Sequence, residues 1–189
     1  MIRDSDFDDL AHKSGEWLRG TGPESDIVIS SRIRLARNLA DFPFIRRCSD
    51  EDRVSIERTI RAKMDSIDDW QDVRYIDLEQ LSEIDRQFLV ERQLISREIA
   101  DAEGSRAVAI DPREQYSVMI NEEDHLRIQV MHSGLDLKSA WQSIDELDDK
   151  LEGAIMYAFH SQFGYLTACP TNVGTGLRVS VMLHLPALV

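Results

Sequence analysis

Cysteine is scarce in this sequence: Cys48 and Cys169 are the only two in 189 residues. That is too few for a disulfide framework, so free thiols in a reducing cytoplasm are the expectation. No apolar run approaches the roughly 20 residues of a membrane-spanning helix. The N-terminus, Met1 to Asp9, begins acidic and has no apolar core of the signal-peptide kind. Positive charge is outnumbered, with 22 Lys and Arg against 35 Asp and Glu, a net charge of −13. Such a field opposes a phosphate polymer and argues against a general nucleic-acid binder. There is no G-x-x-x-x-G-K-[ST] phosphate loop, and Gly174-Thr-Gly176 lacks the third glycine of a dinucleotide fingerprint. His125, His132, His160 and His184 do not have zinc-protease spacing, and Cys169 has no cysteine nearby, so no metal site is expected. Internal repeats and low-complexity tracts are absent too.

What remains is an ordinary composition, 42% apolar and 30% charged, in a chain long enough for one domain with a substantial core. A weak helical pattern over residues 7–19 breaks at Gly20-Thr-Gly-Pro23. From Ile27 to Ala36 the chain is β-branched and alternating. Period two puts Ile27, Ile29, Ser31, Ile33 and Leu35 on one face, and Val28, Ser30, Arg32 and Arg34 on the other. Residues 50–67 read as a helix capped by Ser49 or Asp50, with Val54, Ile56, Ile60, Met64 and Ile67 on its apolar side. A short strand is expected over 73–76, a helix over 79–95 with Ile84 on its apolar side, and a loop over 96–106. Strands are expected over 106–110, 116–120 and 125–131, then a long helix over 137–162 closed by Gly164. The fold class is α+β, a mostly antiparallel sheet flanked by helices that cover one side.

Three stretches have the makings of chemistry. Arg32 and Arg34 stand about 6.5 Å apart on one strand face, close enough to hold one phosphate from two sides; a pair of surface arginines is the plainer reading. Glu122, Glu123 and Asp124 crowd a turn between strands, followed by Arg127. A solvated acidic turn is common, but a carboxylate there can also accept two parallel hydrogen bonds from a guanidinium. Last, a loop of Gly, Pro, Thr and Asn carrying Cys169 leads into the alternating strand Arg178 to Leu185, where small residues let a ligand approach the backbone. Arginines converging on Cys169 would make it reactive. Local cationic charge in an acidic chain suits a small anion better than a polymer.

Ser30-Ser-Arg-Ile-Arg34, Asn121-Glu-Glu-Asp-His-Leu-Arg127 and Cys169-Pro-Thr-Asn-Val-Gly-Thr-Gly-Leu-Arg178 resemble, in order, three signature blocks of the ATP:guanido phosphotransferases. Residues 17–38 and 165–186 are most similar to the bacterial branch of protein arginine kinases, which also lacks a large helical domain ahead of the first block. The resemblance implies the N-terminal part of a guanido kinase catalytic domain over 26–189, after an N-terminal helical segment over 1–25. It implies transfer of the ATP γ-phosphoryl group to protein arginine, with Mg²⁺ carried by the nucleotide. Ser30, Ser31, Arg32, Arg34, Arg127 and Arg178 would hold phosphates, Ile33 would belong to the same nucleotide-binding segment, and Val179, Ser180, Val181 and Met182 would line the nucleotide site. Glu123 would orient the target guanidinium beside Glu122, and Cys169 would be the family's reactive cysteine. Gln93 stands where relatives have an adenine-associated histidine. Relatives continue beyond Pro186, so a C-terminal truncation is expected. The resemblance further implies a cytoplasmic stress-response protein with protein substrates, a small zinc-finger activator, a heat-shock repressor and a homodimer among its associations, and neither membrane nor direct nucleic-acid binding. The competing reading is a non-catalytic module that binds nucleotide or phosphoarginine with the same arginines; a remnant without ligand is the third.

Overall fold

The computed structural model describes residues 14–67 and 72–186. Six strands form one antiparallel sheet: β1 (Val28–Arg37), β2 (Arg74–Asp77), β3 (Ala107–Ile110), β4 (Tyr116–Ile120), β5 (Leu126–Ser133) and β8 (Leu177–Leu183). Their order is β2-β3-β4-β5-β1-β8. The other two strands, β6 (Phe159–His160) and β7 (Gly164–Tyr165), make a small separate hairpin. Consecutive β3, β4 and β5 pair as neighbours, while β1 is inserted beside β5 and carries β8 on its far side.

Helices pack on both faces of the sheet, not on one. Helix α1 (Asp50–Met64) and helix α4 (Leu137–Ala154) cover the face presented by Ile33, Leu35, Val118, Leu126 and Ile128. Helix α2 (Glu83–Glu91) and the short α3 (Arg97–Ala100) cover the opposite face, but only where β2, β3 and β4 present Ile76, Val108, Ile110 and Met119. β3 and β4 read as nearly continuous apolar runs because both of their faces are buried. The same face beyond β4 carries polar and charged side chains from β5, β1 and β8, and it is there that the site forms.

Local rules account for the helix starts. Ser49 caps α1 in a reciprocal box with Asp52, and Ser82 does the same for α2 with Asp85. Ile56, Ile60 and Met64 form the buried stripe of α1, whereas Val54, expected on that stripe, is exposed. The helix expected over 79–95 is shorter, because a 3-10 turn at Leu78–Gln80 precedes the Ser82 cap. Its expected core residue Ile84 is 80% exposed. The expected loop over 96–106 contains α3, capped by Ser96. Helix α4 ends at Ala154 instead of running to 162: Ile155 is already extended, and Ala158 N–H donates to Asn38 O at 2.7 Å. Gly164, at φ +78°, therefore turns the β6–β7 hairpin and closes no helix. The helical pattern over 7–19 falls largely outside the described residues; within them it is one 3-10 turn, Glu16–Leu18, with Trp17 buried.

Candidate functional site

Register builds the cationic wall. Arg34 on β1 is opposite Gln129 of β5 on one side and Arg178 of β8 on the other. Arg32 is likewise between Met131 and Ser180, and Ala36 is opposite Arg127. Directly opposed residues share a face, so Arg32, Arg34, Arg127 and Arg178 all rise from the side that α2 and α3 leave uncovered. None of Arg32, Arg34 and Arg178 has a carboxylate partner among the described residues. Arg32 instead donates to two neutral oxygens, Ser180 Oγ and Gln93 Oε1, both at 3.2 Å. The Nε of Arg34 is buried with no hydrogen-bond partner.

The consequence is electrostatic. Burial, reinforced by Arg32, Arg127 and Arg178, lowers the Arg34 guanidinium to about 10. Arg32 is lowered by burial and then by Arg127 and Arg178. A cluster of like charges that depresses its own proton affinity is a strained arrangement which a polyanion relieves.

The acidic turn divides its labour. Glu122 is buried; its Oε1 accepts from Arg127 Nη1 in a tight ion pair and from Ser96 Oγ at 2.7 Å, and its Oε2 accepts from the Glu123 N–H at 2.8 Å. It is fully engaged. Glu123 is half-buried, and no hydrogen bond or ion pair among the described residues engages its carboxylate. Glu122, Glu123, Arg127 and Arg178 line one open pocket of about 410 Å³, bordered also by Arg46, Glu98 and Arg106. Asp124 and His125 are structural. Asp124 Oδ1 accepts from Asn38 Nδ2 and from the Ala168 N–H, both at 2.6 Å, tying the acidic turn to the loop ahead of Cys169. His125 Nδ1 accepts from Leu39 N–H at 3.0 Å, which leaves Nε2–H to donate to Pro43 O at 2.9 Å. Burial holds this imidazole below its ordinary value.

The loop before β8 is set by a buried ion pair that the sequence did not announce. Arg37 Nη2 is 2.5 Å from Asp148 Oδ2, its Nη1 donates to Thr175 O at 2.8 Å, and its guanidinium carbon is 3.7 Å from the Tyr165 ring centre. Burial raises the Asp148 carboxyl, and Arg37 opposes that rise. Gly176 sits at φ +65°, where a Cβ would come 2.6 Å from Ala36 O. These contacts fix where β8 begins and hence where Arg178 stands.

Of the expected residues, a smaller pocket of about 170 Å³ gathers Ser30, Arg32, Ser180, Val181 and Met182 with Met131. Gln93 joins them through Arg32, and its backbone carbonyl accepts from Gln129 Nε2 at 2.6 Å, with its own φ at +60°. Ser31, Ile33 and Val179 lie on the other face. Ser31 is buried with its hydroxyl donating to Gly134 O at 2.7 Å and accepting from Asp136 N–H at 3.0 Å, and Ile33 is in the core. Cys169 is partly exposed, its Sγ 2.9 Å from Thr171 Oγ1, and does not border the larger pocket. Sequence reading missed Ser96, Glu98 and Arg106. All three fall within the stretch expected as a polar loop over 96–106, where nothing local marks Ser96, Glu98 or Arg106 until the chain folds. Among the described residues no three His, Cys, Asp or Glu side chains group to hold a metal ion.

A fold and a cationic face of this kind have relatives. The family model for the ATP:guanido phosphotransferase C-terminal catalytic domain matches residues 55–189, and the chain belongs to the ATP:guanido phosphotransferase family. Within it, the chain is 50% identical over 183 residues to the protein-arginine kinase of Symbiobacterium thermophilum, covering 95% of this chain and 52% of that protein. It is 49% identical over 183 residues to the protein-arginine kinase of Halothermothrix orenii, again covering 95% and 52%. The chain thus spans about half the length of the curated relatives it matches. Among solved structures, a duplicated taurocyamine kinase from Schistosoma mansoni with bound transition-state-analogue components superposes with a TM-score of 0.81 at 25% identity, over 94% of this chain and 27% of that one. A lombricine kinase superposes at 0.77 with 23% identity, over 93% and 54%, a likeness of fold.

Proposed function

We propose that residues 26–189 supply the first part of the catalytic domain of a protein arginine kinase, which transfers the γ-phosphoryl group of ATP to arginine side chains of proteins. The observation that carries this reading is the cluster of Arg32, Arg34 and Arg178, without carboxylate partners on one sheet face, whose member Arg178 borders the pocket that holds the uncommitted Glu123 carboxylate. Phosphoryl transfer asks little covalent help of a protein; it needs in-line positioning and cancellation of charge on the moving group. The guanidinium forks supply the second, each well-aimed donor contributing on the order of 3 kcal/mol to the barrier. Glu123 supplies the first, accepting two parallel hydrogen bonds from the target guanidinium, and it takes up the proton released as the N–P bond forms. Glu122 acts through Arg127, keeping that guanidinium aimed into the pocket.

Ser30, Ser180, Val181 and Met182 would line the nucleotide, and Gln93 would hold Arg32. Ser31, Ile33 and Val179 would contribute by supporting the strands that present the arginines. Cys169 would act near the target guanidinium from the loop that Asp124 tethers. The wall of arginines fits a polyphosphate, and Mg²⁺ riding on it, held by phosphate oxygens and water, would supply further charge neutralisation. A cytoplasmic stress-response role, protein substrates with exposed arginine, a zinc-finger activator, a heat-shock repressor and homodimer formation belong to the same reading by resemblance. The described helices include none long and apolar enough to cross a membrane.

The test is to incubate the chain with Mg-ATP and an arginine-rich protein and to assay acid-labile phosphate on arginine. Transfer that disappears in Glu123→Gln and in Arg178→Ala supports the kinase. A second reading, a nucleotide- or phosphoarginine-binding module, is favoured by the exposure of Arg178 on a strand covered by nothing else described. Nucleotide binding without transfer supports it, and absence of both overturns the two together.

A further inference from the structure

The pocket that holds Glu123 has a second cationic end, away from the phosphate-facing arginines. Arg106 stands just ahead of β3, whose Ala107 pairs with Ile120. In the strand order it lies on the opposite side of the β4–β5 turn from Arg178. It is 9% exposed and lines the pocket. Its Nε donates to Asn121 O at 2.9 Å, while its Nη1 is buried with no hydrogen-bond partner. Burial, and then Arg53, lower this guanidinium from its ordinary value, with Glu79 and Glu122 opposing. Exposed Arg46 borders the same pocket. Its turn, Ile45–Arg47, is held by Arg53, whose Nη2 donates to Ile45 O at 3.0 Å. Among the described residues neither Arg46 nor Arg106 forms an ion pair. A buried guanidinium left without a counter-charge is costly. Glu122 cannot relieve it, being committed to Arg127. Once a target guanidinium engages Glu123, only exposed Glu98 faces Arg46 and Arg106, and this end keeps a net positive charge.

We propose that Arg106 and Arg46 form an anion subsite beside Glu123, which takes a carboxylate of the substrate protein flanking the target arginine. A planar guanidinium matches a carboxylate fork to fork. In an extended segment, residues two apart share a face and stand about 6.5–7 Å from each other. An Asp or Glu two positions from the target arginine is therefore placed for this end of the pocket. Such a segment offers a positive and a negative group where the pocket offers Glu123 and then Arg106, a complementarity that fixes its direction and selects against basic neighbours. The anion subsite stands on the placement of Arg46 and Arg106 alone. Its assignment to a substrate carboxylate rests on the kinase reading, in which Glu123 holds the target guanidinium. Free phosphate shares the chemistry and is the competing source.

The Nε–H of Arg106, held by Asn121 O, gives a nitrogen resonance that reports binding at this end apart from binding at Arg32, Arg34 and Arg178. The chain is titrated, without nucleotide, with acetate, with inorganic phosphate, and with two end-blocked peptides, Asp-Ala-Arg-Ala-Asp and Asn-Ala-Arg-Ala-Asn. Acetate should move the Arg106 resonance saturably, and the acidic peptide should do so at a concentration at least about tenfold lower than its amide counterpart. Arg46→Ala, at an exposed position, should leave the thermal midpoint unchanged within a few degrees and weaken both acetate and the acidic peptide by about threefold or more. None of these readouts requires transfer, so a chain that fails to phosphorylate arginine leaves the test intact. An Arg106 resonance that no anion moves saturably, or an unchanged response in Arg46→Ala, overturns the subsite. Equal responses to the two peptides, or a response to phosphate at lower concentration than to the acidic peptide, overturns the substrate assignment and marks free phosphate as the ligand.

Discussion

Arg34 and Arg178 stand directly opposite each other across the β1–β8 ladder, two like charges in one cross-strand pair with no carboxylate to separate them. Such a pair opposes strand association unless an anion bridges it. Arg178→Ala is therefore expected to leave the unliganded chain as stable or slightly more so, within about 0.5 kcal/mol, while reducing affinity for a nucleoside triphosphate by at least about tenfold. Thermal unfolding with and without nucleotide checks both halves. Loss of unliganded stability would mean that Arg178 holds the strand and not a ligand.

The same cluster fixes a pH dependence. With Arg34 held at about 10 without ligand, an anion that requires the charged guanidinium must recruit a proton above that pH. Triphosphate affinity should fall with a slope of one proton as pH rises beyond about 10, whereas it should be flat on this account from 7 to 9. Calorimetric titration in buffers of different ionisation heat measures the proton taken up.

Glu122 and Glu123 are neighbours in sequence and opposite in role. Glu122→Ala strands the Arg127 guanidinium and should cost about 3 kcal/mol in urea unfolding. Glu123→Gln should change stability by no more than about 0.5 kcal/mol and lower phosphoryl transfer at least about a hundredfold. Equal effects on folding would contradict the division of the acidic turn.

Arg37 and Asp148 form the buried pair behind the loop that starts β8. Arg37→Met is expected to destabilise the chain by about 3 kcal/mol at pH 7. The loss should shrink as pH falls, because the Asp148 carboxyl, raised by burial and now unopposed, takes up a proton in the folded state before it does in the unfolded one. Replacing both residues by apolar ones should recover much of the stability, and the double-mutant cycle measures the coupling.

His125 is neutral in the fold and held below its ordinary value of 6.5. The unfolded chain therefore binds the extra proton first as pH falls below about 6.5, and stability drops from there until the folded imidazole also titrates. Nitrogen-resolved magnetic resonance should find the proton on Nε2 at pH 6.5, as the Leu39 N–H on Nδ1 requires. A charged imidazole at that pH would refute it.

Much of the fold was legible along the chain. Alternation located β1, β4, β5 and β8, and the face that carries Arg32 and Arg34 followed from period two alone. The three blocks pointing to a guanido kinase are also the segments that build the wall. What the chain hid were contacts whose partners are far apart in sequence. Ile84 and Val54 fit a helical stripe but face water, since the buried side of α2 runs through Leu89 and Val90 and that of α1 through Ile56, Ile60 and Met64. The overlong α4 misled because Leu151, Ile155 and Phe159 keep a helical spacing, although backbone hydrogen bonds with Asn38 and Ala40 draw the chain into an extended path after Ala154.

The sequence by itself determined the strands, the helix caps and the chemical inventory of arginines, glutamates and a thiol, because strand period, Ser-led caps and residue type are local properties. Only the tertiary structure decided which of those residues act together. Cross-strand register set Arg178 against Arg34. The pairing of Glu122 with Arg127 left Glu123 as the uncommitted carboxylate, and Asp148, 111 residues from Arg37, fixed the loop that aims β8. Pairing energies between distant residues exist only once the backbone has brought them together, and no local pattern records them.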